Sequence, residues 1–200
     1  MDSADFSAAL EAVPASRWSE PIRFAGRALA RPRQIGAVLP SGIHLARTMA
    51  RAASGQVLVE LGPGSGSITR HLLARLPESG RLLALELDPS LAGRLGRQVR
   101  DPRLVIRHGD ATDLGAWLEI LAWPRPDAIV SGLPFQSLPA SSRDRILAEA
   151  RDTLSPTGRF VAFQYGLRLL PAFRQHFRRI HVVGPIWRNL PPAYVILGLP

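Results

Sequence analysis

The chain has no cysteine in its 200 residues. That removes disulfides, thiolate nucleophiles, zinc–thiolate sites and iron–sulfur clusters, and it fits a reducing, cytoplasmic compartment. Lysine is absent as well, so all 25 basic residues are arginine. No phosphate-binding P-loop lysine, Schiff-base lysine or lysine general base is available. No apolar run approaches the ~18 residues of a membrane-spanning helix. Asp2, Asp5 and Glu11 occupy the stretch where a secretory signal would carry its basic residues. The histidines, His44, His71, His108, His176 and His181, show no metal-ligand spacing, and no metal is expected. Acid is missing from Thr153 to Pro200, where Arg159, Arg168, Arg174, Arg178, Arg179 and Arg188 occur.

What is present is a basic, moderately apolar chain. The net charge is +9, and 46% of residues are hydrophobic. A globular domain of this length buries a core without staples. A basic protein of this kind meets anions: nucleic acid, anionic lipid or phosphorylated small molecules. A second basic zone runs from Arg17 to Arg33, with five arginines against Glu20. Within it Trp18, Ile22, Ala25 and Leu29 recur at helical spacing, interleaved with Arg17, Arg23, Arg27 and Arg31. Arg31-Pro32-Arg33 should end that helix. Such a segment either lies in a lipid interface or packs on the domain with a solvated basic face.

From Gln56 onward, strand-like runs alternate with helix-like stretches, the rhythm of βαβ units and a mostly parallel sheet. The expected strands are Val57–Leu61, Leu82–Leu87, Leu104–Ile106, Ala128–Val130, Phe160–Tyr165, Ile180–Val183 and Tyr194–Leu197. Helices are expected to open at Asp88-Pro89-Ser90 and at Pro139–Ser142, and another runs through Leu45, Met49 and Ala52. Pro185, Pro191 and Pro192 leave no room for a crossover helix between the last two strands, which are therefore expected to be antiparallel. The expected fold is α/β: a seven-stranded, doubly wound, mostly parallel sheet ending in an antiparallel hairpin. An N-terminal helical extension, 1–54, precedes a sheet domain, 55–200.

Val57–Leu61 runs into Gly62-Pro63-Gly64-Ser65-Gly66, and a helix follows. Glycines permit close backbone approach and positive φ, and a helix N-terminus offers free N–H groups. The dinucleotide fingerprint fails because residue 67 is serine where a third glycine belongs. Glu86 ends the next strand, where a carboxylate receives ribose hydroxyls, and Asp88 is the better helix cap. Gly109-Asp110-Ala111 follows the third strand and Ser131-Gly132-Leu133-Pro134-Phe135 the fourth. All four segments fall at strand carboxyl ends, where α/β sheets bind ligands.

Together these segments resemble the ordered motifs of class I S-adenosylmethionine-dependent methyltransferases, whose product is S-adenosylhomocysteine. The resemblance implies that Glu60, Gly62, Pro63, Gly64 and Gly66 hold the methionyl part of the cofactor. It further implies that Glu86 and Leu87 bind the ribose, that Asp110 and Ala111 border the adenine, and that Ser131 and Gly132 face the methyl group. A narrower resemblance is to bacterial phospholipid N-methyltransferases, which act on phosphatidylethanolamine. It rests on Ile35–Gly42 (IGAVLPSG), Val59–Gly66, Val130–Pro134, Phe163–Tyr165 (FQY) and Ile186–Pro192 (IWRNLPP). It implies that Ser41 joins the cofactor site under an N-terminal lid. It also implies that Arg17, Trp18, Ile22, Arg23, Arg27, Leu29 and Arg31 contact the membrane.

An amine substrate of pKa near 10.4 must lose its proton before it attacks a sulfonium methyl. Each methylation then makes it bulkier and more cationic, which aromatic faces favour. Tyr165 is the candidate to orient the amine, with Leu133, Pro134, Phe135, Trp187, Arg188 and Asn189 around the head group and Arg188 on the phosphate. His44 is a candidate proton acceptor. The expected partner is a phospholipid surface at the inner face of the cytoplasmic membrane. Neither nucleic acid nor an obligate protein partner is expected. The rival substrate is RNA, because ribosomal RNA adenine dimethylases are similar through the first three motifs. They place Asn-Leu-Pro-aromatic after the fourth strand, where this chain has Gly132-Leu133-Pro134-Phe135. A planar amine needs that asparagine as an acceptor, and an aliphatic amine does not. The sequence also admits a small-amine methyltransferase, or a basic lipid- or RNA-binding module with a vestigial cofactor fold.

Overall fold

β1, Val57–Leu61, is buried at every position, as a strand covered on both faces must be. It is the third strand of a seven-stranded sheet. The computed structural model describes residues 40–200, and helices and strands are numbered within that span. In chain order α1 is Pro40–Ala52, α2 is Ser67–Leu73, β2 is Arg81–Glu86, α3 is Pro89–Gln98 and β3 is Leu104–His108. Then come α4, Leu114–Ile120, β4, Ala128–Ser131, α5, Ala140–Thr153, and β5, Arg159–Gln164. The chain finishes with α6, Leu170–His176, β6, Arg179–Ile186, and β7, Ala193–Leu199.

The strand order is β3-β2-β1-β4-β5-β7-β6. The first five of these strands are parallel. β7 runs antiparallel between β5 and β6, so the expected terminal hairpin is present. Short strand–helix–strand links produce the parallel part, and the proline-rich connection after β6 permits only a reversal. The order reverses between β1 and β4, and that switch point opens a crevice at the strands' carboxyl ends.

Side chains alternate along each strand, so the sheet has two apolar layers. Val59, Leu61, Leu83, Leu85, Ile129 and Phe160 face a layer closed by Leu114, Trp117, Ile146, Leu147 and Phe173. Leu58, Leu82, Val130, Val161 and Val195 face the other, closed by Leu45, Met49 and Ala50 of α1 and by Leu72 and Leu73 of α2. α1, on the N-terminal side of the boundary expected at 54, thus shares the core of the sheet. By the same alternation Glu60 and Glu86 lie on the α1–α2 face. The membrane-contact residues expected between Arg17 and Arg31 lie outside the described residues.

Helix starts follow their local chemistry. The Asp88 side chain accepts from the amides of Ser90, at 2.9 Å, and Leu91, at 3.2 Å, and Pro89 fills the first turn. That leaves Glu86, two residues earlier, free for another task.

Candidate active site

The turn after β1 is built by backbone geometry. Gly62, Gly64 and Gly66 have φ of 70°, 54° and 78°, a region that glycine enters without cost. A Cβ at Gly64 would meet no atom within 4 Å, so the turn faces open space there. Pro63 is buried beneath it. Gly66 caps α2 in the left-handed conformation, and its amide donates to the Pro63 carbonyl at 2.9 Å.

Glu86, buried at the end of β2, ties this turn to the neighbouring strand. Its Oε2 accepts the Gly64 amide at 2.9 Å and its Oε1 accepts the Asp88 amide at 3.1 Å. A carboxylate has about four acceptor sites, so both oxygens retain capacity for hydroxyl donors. Beyond it the half-buried Leu87 has its carbonyl 3.1 Å from His108 Nε2. Asp110 is buried at the next strand end, beside the half-buried Ala111. Its Oδ1 accepts the Thr112 amide at 2.9 Å and the Thr112 hydroxyl at 3.0 Å. No hydrogen bond reaches Oδ2 among the described residues.

Glu60 is fully buried on the same face, with Thr69 as its polar neighbour among the described residues. Burial pushes its pKa up to about 7; the nearby Glu86 charge adds to the rise, and Thr69 pulls it back. Two carboxyl groups therefore converge on one glycine turn, and the Arg70 guanidinium beside it donates to the Ser65 and Gly66 carbonyls at 3.0 Å. That arrangement fits a ligand that brings hydroxyls to Glu86 and positive charge to Glu60, as a nucleoside with sulfonium and ammonium groups would. Thr69, buried one helical turn into α2, belongs to this cluster, and the sequence reading missed it. The available signal was its position three residues after Gly66, in the first turn of the helix that the glycine caps.

The segment after β4 closes the other side of the crevice. Ser131 is fully buried, and its Oγ accepts the Leu133 amide at 3.3 Å. Its hydroxyl thus helps to shape the loop. Phe135 corrects its expected role. It is fully buried, with its ring 5.5 Å edge-on from Phe173 and 6.2 Å from Phe160. It anchors the loop in the core and does not reach the head group. Leu133 and Pro134 remain half-buried at the rim.

Gly132 has a reason for lacking a side chain. A Cβ there would stand 2.6 Å from the Gly62 carbonyl oxygen, a backbone atom of the glycine turn. Gly132→Ala or Gly132→Asn is expected to push that turn aside. The overpacking should cost about 1–3 kcal/mol of stability. Cofactor affinity should fall at least tenfold in a calorimetric titration while the circular dichroism spectrum is retained. Unchanged affinity would show that the turn yields freely.

β5 delivers Tyr165 to the rim, 53% exposed and 5.5 Å edge-on from Phe163. Burial of its inner half raises the phenol pKa, and a hydrogen bond from Asn189 lowers it. Asn189 itself is buried, and its Nδ2 donates to the Pro191 carbonyl at 2.6 Å. It thus joins the β6–β7 turn to Tyr165. Its neighbours Trp187 and Arg188 stand exposed on that turn. Ser41 falls in the first turn of α1 and His44 is half-buried one turn on. Among the described residues no cluster of metal-ligating side chains occurs.

A methyltransferase-domain family model matches residues 58–158. Over 180 residues the chain is 31% identical to the ornithine lipid N-methyltransferase of Singulisphaera acidiphila, spanning 85% of this chain and 91% of that one. It is 40% identical over 95 residues to ribosomal RNA small subunit methyltransferase A of Laribacter hongkongensis, a match that spans 46% of this chain and 34% of that protein. Among solved structures, the N-methyltransferase NodS of Bradyrhizobium japonicum, in complex with S-adenosylhomocysteine, superposes with a TM-score of 0.68 at 13% identity. That superposition covers 90% of this chain and 98% of NodS and shows a shared fold.

Proposed function

This chain belongs to the methyltransferase-domain family, and from that premise we propose that its substrate is the amine of a membrane lipid head group. It is an S-adenosylmethionine-dependent enzyme. The head group proposed is phosphatidylethanolamine, methylated in successive rounds toward phosphatidylcholine by a protein held on the inner face of the cytoplasmic membrane. The observation that carries the lipid reading is the near end-to-end likeness to a lipid N-methyltransferase. The ribosomal RNA relatives match over less than half of this chain. Gly132 supports the same reading. The asparagine that a planar amine needs would collide with the Gly62 carbonyl.

The cofactor, when bound, supplies an electrophilic methyl carried on a sulfonium. The residues of this chain do the rest. Glu86 accepts the ribose hydroxyls, and its bond to Gly64 sets the turn against the same ligand. The free Oδ2 of Asp110 faces the adenine end as an acceptor. Glu60 supplies charge for the cationic end. The rim formed by Gly132, Leu133, Pro134 and Tyr165 positions the incoming nitrogen, and most of the acceleration comes from that orientation. With its pKa raised, the Tyr165 phenol is neutral at physiological pH, so its oxygen accepts a hydrogen bond from the amine. Its exposed ring face suits the growing ammonium charge.

Ornithine lipid is the second head group to consider, because the lipid relative acts on it by name. Both head groups present an aliphatic primary amine on a lipid. Labelled methyl donor offered with vesicles of either lipid, with RNA or with free ethanolamine separates the readings. Label is expected in phosphatidylethanolamine. Label confined to ornithine lipid would replace the head group, and label in RNA would end the lipid reading.

A further inference from the structure

We propose that the turn joining β6 to β7 is a membrane-docking element that seats Trp187 and Leu190 in an anionic bilayer beside the mouth of the active site. The inference rests on the lipid reading above and names the surface that reading requires. Trp187 is 77% exposed and Leu190 is 80% exposed, more than any other large apolar side chain among the described residues. Tyr165 and Leu167, on the segment leaving β5, are exposed too.

The turn is held from inside. The Asn189 amide donates to the Ile186 carbonyl at 3.0 Å, and its buried side chain donates to the Pro191 carbonyl at 2.6 Å. A buried polar residue thus fixes the loop, while residues 187, 188 and 190 stand in solvent. Large apolar side chains held out of a core mark an interaction surface. An indole suits the boundary between water and hydrocarbon, and the guanidinium of Arg188 between the two apolar groups suits lipid phosphate.

Charge selects the occupant. Thr153 to Pro200 has no acid; at the turn's end of the sheet this segment places Arg168 and Arg188, while Arg159, Arg178 and Arg179 sit at the opposite end. The stretch from Arg17 to Arg33 is basic too. Two segments of one sign repel each other, so that stretch is a poor cover for this turn. Both match an anionic surface. Topology then gives the docking a purpose. Tyr194, near the start of β7, pairs with Gln164 at the end of β5, and β5 lies next to β4. The turn therefore stands at the end of the rim nearest Gly132–Pro134 and farthest from Glu86 and Asp110. A docked bilayer would present its head groups where the methyl group is expected.

The absence of cysteine makes a clean test. Leu190→Cys, labelled with a nitrobenzoxadiazole dye in the full chain, should brighten and shift to the blue on vesicles of phosphatidylcholine with phosphatidylglycerol. Pure phosphatidylcholine should produce little change. The same dye at Glu78→Cys, exposed before β2 at the opposite end of the sheet, should not respond. Leu190→Asp should bind the anionic vesicles about tenfold more weakly, the worth of one leucine side chain withdrawn from water. The ratio of turnover on vesicle-embedded lipid to turnover on a water-soluble dihexanoyl lipid should fall with it. A silent dye at residue 190, or vesicle binding by Leu190→Asp within twofold of the original, would overturn the proposal. So would a dye already shielded without vesicles and released by deleting residues 1–31, which would make that segment the cover. A shift that follows protein concentration alone would make a second copy the partner and overturn it equally. Failure of the unaltered protein to methylate the dihexanoyl lipid would instead count against the lipid reading.

Discussion

Glu86→Ala is expected to weaken binding of S-adenosylhomocysteine at least a hundredfold in a calorimetric titration. The carboxylate is buried and serves two purposes. It receives the amides of Gly64 and Asp88 at 2.9 and 3.1 Å, and in the proposed function its remaining lone pairs accept two ribose hydroxyls. Alanine leaves two half-buried amides without their acceptor, at up to about 1–3 kcal/mol each, and removes charge-assisted bonds of similar worth to the ligand. The first loss lowers the melting temperature of the free protein, and the second appears only in binding. Glu86→Gln keeps the shape and one acceptor oxygen and should lose affinity by about tenfold. A dissociation constant for the alanine variant within threefold of the original would show that the nucleoside lies elsewhere.

Glu60→Gln should act in the opposite direction on stability. The folded-state pKa of Glu60 is about 7, above the ordinary 4.5 of a free glutamate. The folded chain therefore holds this proton more tightly than the unfolded chain does, and stability falls as pH rises from about 4.5 to about 7. Above that window the full cost is present, on the order of 3 kcal/mol from the size of the shift. Glutamine never ionises. Urea unfolding at pH 8 should show the variant to be more stable than the original, with the difference nearly gone at pH 4.5. A constant difference across that range would mean that Glu60 ionises freely in the folded protein.

The same residue ties stability to ligand binding. A cation beside Glu60 favours the carboxylate, so cofactor binding must release a proton wherever the free site is protonated. Affinity should rise between pH 6 and 7 and flatten above that range. Glu60→Gln should remove the dependence and lower the affinity at pH 8. The stability gained and the binding lost would then come from a single buried carboxylate.

Local chemistry made much of this fold legible. The expected strands lie within about three residues of those observed, because buried parallel strands read as uninterrupted apolar runs. Asp88 was distinguishable from Glu86 because only Asp88 precedes a proline-led first turn. Antiparallel β7 followed from prolines that forbid a crossover helix. The roles of Phe135, Ser131 and Asn189 were not legible. The resemblance set Ser131 against the methyl group, and position in the chain set Phe135 and Asn189 around the head group, without saying what packs on each. The core claimed Phe135 through Phe160 and Phe173, which lie in distant parts of the sequence. Short backbone bonds claimed the side chains of Ser131 and Asn189.

The sequence alone determined the alternation of strands and helices, the glycine turn and the acids that end β1 and β2, because each depends on neighbours a few residues away. Only the tertiary structure decided that Gly132 lies against the Gly62 carbonyl, since that contact joins two strands 70 residues apart. It alone decided that Glu60 is fully buried, with its pKa pushed up to about 7, because desolvation is a property of everything packed around a group. The same holds for Trp187 and Leu190. Their apolar character is written in the chain, but their exposure follows from a turn folded around Asn189.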